Sequence, residues 1–85
     1  MRKSSLLENL VHKTDRPAIT VLFETETTKE IRIVFKKEQF MKAHKTSFSI
    51  TVEVFDGAID FGVNGKIEKL IKGDLVWLEA NTAHD

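Results

Sequence analysis

The chain has 85 residues with 13 basic and 13 acidic side chains, 41% hydrophobic and 31% charged residues, and no cysteine. A zero formal charge excludes the one-signed field that draws nucleic acid or an anionic membrane, and the apolar content excludes a disordered chain. Without cysteine there are no disulfides, no thiolate nucleophile and no Cys-ligated zinc, and at this length folding buries only roughly 60–65% of the unfolded surface.

The chain begins Met1-Arg2-Lys3, but Glu8 and Asn9 interrupt the apolar stretch after Leu6-Leu7, so it does not read as a signal peptide. No apolar run is long enough to span a bilayer, and the expected location is the cytoplasm. Ser5-Leu6-Leu7-Glu8 has the S-x-x-E form of a helix capping box, and Leu6, Leu7, Leu10 and Val11 would share one face, so a short helix is expected there. Asp15-Arg16-Pro17 then signals a turn. His12 fits no motif and reads as a surface residue.

From Ala18 the pattern changes to short strands. Ala18 to Phe23 and Ile31 to Phe35 are rich in β-branched residues and flank the polar stretch Glu24 to Glu30, which reads as a hairpin or connecting loop. Phe48 to Phe55 alternates cleanly, with Phe48, Ile50, Val52 and Val54 on one face. Asp56-Gly57 turns the chain into Ile59 to Val63, and Asn64-Gly65 suits a two-residue type I′ turn into Lys66 to Ile71. Lys72-Gly73-Asp74 makes another turn before Leu75 to Leu78. About seven short strands without interleaved helices argue an all-β sandwich or barrel. No linker or repeat divides the sequence, which reads as one domain over 1–85.

His44 and Gly57, with Gly73-Asp74 and His84, resemble the two motifs of the cupin family. The first runs from histidine through a second histidine and a glutamate to a glycine; here Thr46 and Ile50 stand where the second histidine and the glutamate would be. The second runs from Gly-Asp through a proline and a glycine to a histidine, with Glu79 and Asn81 replacing the proline and the glycine. The resemblance covers about residues 35–84. It implies a cupin-like double-stranded β-helix, or jelly-roll barrel, following the short N-terminal helical segment.

His44, Thr46, Phe48, Ile50, Val52 and Val54 share parity, so an uninterrupted strand would point them to one face, the barrel interior. The expected ligand pocket is therefore His44, Thr46, Phe48, Ile50 and His84. The resemblance implies a metal site of three histidines and a glutamate, suited to iron, manganese, nickel, copper or zinc. This chain retains only His44 and His84 of that set, with Glu38, Asp60 or Glu79 as further ligands only if the fold brings one of them in.

The expected function is binding of a small molecule in the barrel without a complete metal site. The alternative is a divalent-metal-dependent cupin enzyme, of dioxygenase or isomerase type, using His44 and His84. Small cupins continue past the final motif histidine with closing strands, and none follows Asp85. The open edge is then covered by a second copy, by the N-terminal strands, or by the rest of a longer protein. The expected partner is a second copy, giving a homodimer.

Overall fold

Six short strands, all antiparallel and none longer than seven residues, form the chain. The computed structural model describes residues 1–85, which divide into two compact units, Met1–Met41 and Lys42–Asp85. There are three separate two-stranded ladders, β1–β2, β3–β6 and β4–β5. This corrects the expectation of a closed jelly-roll barrel: each strand has one ladder partner, so no sheet curls round to meet its own edge.

The first unit is built on β1 (Ala18–Glu24) and β2 (Lys29–Val34). The loop closes through Thr25, whose backbone N–H donates to the Thr28 carbonyl at 2.7 Å and whose hydroxyl accepts from the Thr28 N–H at 3.0 Å. The register shifts between Val21 and Phe23, so that Phe23 stands opposite Glu30. Glu30 belongs to the face of Arg32, so this bulge carries Phe23 over to that face as well.

The expected N-terminal helix is absent. Ser5 Oγ does accept from the N–H groups of Leu7 and Glu8, at 3.1 and 3.2 Å, as a capping serine should. The turn then ends at Asn9, whose φ is 56°, rather than continuing. One capped turn does not overcome the cost of helix nucleation. Its carbonyls go instead to Arg32, whose guanidinium donates to Ser5 at 3.2 Å, Glu8 at 2.9 Å and Asn9 at 3.1 Å. Arg32 is only 3% exposed, has no carboxylate at ion-pair distance, and leaves its Nε without a partner.

The second unit contains β3 (Ile50–Glu53), β4 (Ala58–Val63), β5 (Lys66–Ile71) and β6 (Leu75–Leu78). Asn64 and Gly65, with φ of 50° and 82°, make the tight turn between β4 and β5, as their sequence requires for a type I′ hairpin. Val54 extends the β3–β6 ladder, donating to the Asp74 carbonyl and accepting from the Gly73 N–H. The core is small: Val54, Phe61 and Leu70 are buried, with Val52, Ile59, Val63, Val76 and Leu78 packed against them. Burial of each of the three contributes about 1.5–3 kcal/mol.

The long alternating strand expected from Phe48 shortens to Ile50–Glu53. Thr46 directs its hydroxyl to the Phe48 carbonyl at 2.8 Å, and the chain bends at Ser47–Phe48. A hydroxyl bonding to its own backbone in this way competes with the extended conformation.

Candidate functional site

Three residues near the end of the chain organise the histidines. His44 and His84 pair across an isolated antiparallel bridge, exchanging two backbone hydrogen bonds of 2.9 and 2.8 Å. On its other side, His84 stands opposite Val63. That contact is flanked by the mutual Gly62–Asp85 bonds, both 2.9 Å, and by the 3.1 Å bond from the Asn64 N–H to the Ala83 carbonyl. The segment Ala83–Asp85 is thus held between His44 and the end of β4.

Residues directly opposite in an antiparallel pair direct their side chains to the same face. The imidazoles of His44 and His84 accordingly meet edge to face, with ring centroids 4.2 Å apart and planes at 61°. The Phe61 ring lies 5.9 Å from that of His84. His84 is 7% exposed, whereas His44 is exposed. Asp85, next along the chain, turns to the opposite face and lays its carboxylate over Gly62, where even a Cβ would collide with it.

Each ring is fixed by its own backbone. His44 Nδ1 is 2.9 Å from the Lys42 carbonyl and His84 Nδ1 is 2.9 Å from the Thr82 carbonyl. A carbonyl oxygen only accepts, so both Nδ1 atoms carry protons and each neutral ring presents the lone pair of Nε2. Arg32 Nε is the one fully buried side-chain polar atom lacking a partner, so the unbonded His84 Nε2 retains contact with solvent. Two adjacent imidazoles with the same tautomer and open acceptor atoms can accept hydrogen bonds from a hydroxyl or amide, and can donate when protonated.

Of the pocket expected from sequence, His44 and His84 come together. The Thr46 hydroxyl is occupied by Phe48, while its carbonyl accepts from the Asn81 N–H at 2.7 Å. Phe48 is 75% exposed, and Ile50 is half-buried in β3 opposite Leu78. Gly62, Phe61 and Asp85 complete the surroundings and were not singled out from sequence. The signal for Gly62 was an isolated glycine inside a strand, which marks close approach of another backbone.

The donor set does not fit the metal centre of the cupin motifs. No group of three histidine or carboxylate side chains is close enough to hold an ion. Thr46 and Ile50 supply no anionic or imidazole donor, Asp60 lies opposite Lys69 in the β4–β5 ladder, and Glu79 is exposed. A cleft of about 210 Å³ lies elsewhere, in the first unit, lined in part by Ser4, Glu8, Asn9, Thr20 and Arg32. No helix is long and apolar enough to cross a membrane. Comparison with known protein families and with curated proteins returns no match for this chain.

Proposed function

We propose that the chain binds a small polar molecule at the His44–His84 pair, without a resident metal. The observation that carries this reading is the alignment of the two rings, 4.2 Å apart, each anchored through Nδ1 on a backbone carbonyl. Such anchoring removes the rotational freedom that each ring would otherwise lose on binding. The neutral pair accepts hydrogen bonds from a ligand carrying hydroxyl or amide donors, and Phe61 offers an apolar edge beside it. The absence of cysteine is in keeping with a cytoplasmic setting.

Ligand-detected NMR on untagged protein, with a library of small polyols, amides and carboxylates, tests the reading. Hits should compete with one another and disappear in His44→Ala, which removes an exposed side chain and leaves the backbone bridge to His84 able to form. Hits that persist in His44→Ala, or none at all, would remove the basis for the proposal. Stoichiometric transition metal in protein purified without added metal, lost in His44→Ala/His84→Ala, would overturn it in favour of a metal-dependent reaction.

A further inference from the structure

Arg32 is buried with a charge that no side chain of the fold neutralises. The residue is 3% exposed, and no carboxylate comes within ion-pair distance of it. A guanidinium carries five N–H groups. Both on Nη1 are taken, by the carbonyls of Ser5 at 3.2 Å and Glu8 at 2.9 Å, with that of Leu6 at a longer 3.5 Å. Nη2 donates to the Asn9 carbonyl at 3.1 Å, and Nε has no partner. One N–H on Nη2 and the one on Nε are therefore left over. Nη2 and Nε share an edge of the guanidinium plane, and that edge takes both oxygens of a carboxylate. Neutral carbonyls solvate such an ion only in part, so an anion placed there would be strongly favoured.

Arg32 also lines the cleft of about 210 Å³ in the same unit. Glu8 lines it too, together with the hydroxyl residues Ser4 and Thr20 and the apolar Val11 and Leu22. The volume lies below the roughly 300–1,000 Å³ of pockets for drug-sized ligands, which confines the occupant to a small molecule. One cation and one carboxylate, not paired with each other, thus border a single space. A phosphate dianion would gain from Arg32 and be repelled by Glu8. A simple amine would suit Glu8 and leave Arg32 unanswered. A zwitterion satisfies both.

We propose that this cleft binds a small apolar α-amino acid, with its carboxylate on the Nη2–Nε edge of Arg32, its ammonium towards Glu8 and its side chain against Val11 and Leu22. Nε is shut off from water by the packing around it, so the ligand enters as the Ser5–Asn9 turn eases outwards. One serine cap and Arg32 itself hold that turn, and such a segment opens at little cost. The site lies in the unit that lacks His44 and His84, and is independent of the imidazole pair.

The Arg32 Nε–H cross-peak in ¹⁵N–¹H spectra of the untagged full chain reads the contact directly. L-leucine at up to about 10 mM, a range that covers millimolar dissociation constants, should move it downfield in a saturable manner. Isoamylamine, which lacks the carboxylate, should leave it in place. Isocaproate, which lacks the ammonium, should bind about threefold more weakly than leucine, the effect of one solvent-exposed charge pair. In Glu8→Gln that difference should vanish, and the variant keeps the backbone N–H and carbonyl of Glu8 that hold the turn. Arg32→Lys keeps the charge without the fork and should weaken leucine binding more than about tenfold, followed at the Thr20 amide. Carboxylates held here persist in His44→Ala, so for that class the Arg32 resonance assigns the site. A cross-peak unmoved by leucine would overturn the proposal. So would isoamylamine or inorganic phosphate moving it as far as leucine does, or a preference for leucine over isocaproate that survives Glu8→Gln.

Discussion

Replacing Arg32 with methionine should detach the N-terminal turn while leaving the β1–β2 ladder formed. The guanidinium makes three hydrogen bonds of 2.9–3.2 Å to the carbonyls of Ser5, Glu8 and Asn9. A hydrogen bond to a charged group contributes a net of about 1.5–3 kcal/mol. The three are not independent, since they share one buried ion that lacks a counter-charge and leaves its Nε unpartnered. The loss in Arg32→Met is therefore nearer the value of one such bond than of three, about 2 kcal/mol, since the carbonyls regain water once the turn is released. Hydrogen exchange monitored by NMR should show the Leu7 and Glu8 amides losing protection, while those of Ile19 and Ile33 change little. Wild-type protection at Leu7 and Glu8 in the variant would show that the turn stands without Arg32, and the reasoning would fail.

Leu70→Ala removes one of the three buried core side chains and should cost about 3 kcal/mol, a large share of the roughly 4–13 kcal/mol expected at this length. Urea denaturation should register that loss, and Ile67→Ala on the exposed side of the same strand should stay within about 0.5 kcal/mol of wild type; equal effects would contradict the assigned faces. Gly62→Ala should displace the Asp85 carboxylate and lower the hydrogen-exchange protection of the Asp85 amide, at a stability cost of about 1 kcal/mol. Under basic conditions, long-range ¹⁵N–¹H correlation spectra should show both His44 and His84 as Nδ1–H tautomers; Nε2–H in either would break the anchoring described for that ring.

The strands were legible where local chemistry is decisive. Asn64-Gly65 tolerates the positive φ that a two-residue hairpin needs, and the β-branched runs on either side of Glu24 to Glu30 do pair as β1 and β2. His44 and His84 do pair, but across a single bridge and without the barrel that their motif spacing implied. Period-2 alternation, by contrast, distinguishes two faces without saying which one is inside. Arg32, between Ile31 and Ile33, looks like the solvent-facing residue of its strand; in the fold Arg32 is buried and Ile31 exposed, because the N-terminal turn offers carbonyls on Arg32's side. Barrel closure was not legible for a related reason. It depends on long-range second partners for each strand, whereas the sequence reports mostly each strand's own pattern. The capping box at Ser5 was read correctly as a cap and incorrectly as the start of a helix.

His84 links two stretches of backbone that share no ladder, the loop at His44 and the end of β4. A ligand that draws the two rings together must therefore pull on both lengths of chain at once. Occupancy at the imidazoles would become order in the Asn64-Gly65 turn, which is tied to the same segment by the Asn64 N–H on the Ala83 carbonyl. The short central segment acts in that sense as a transmission rod, and a spectroscopic probe on the hairpin turn could report an event taking place at the histidines.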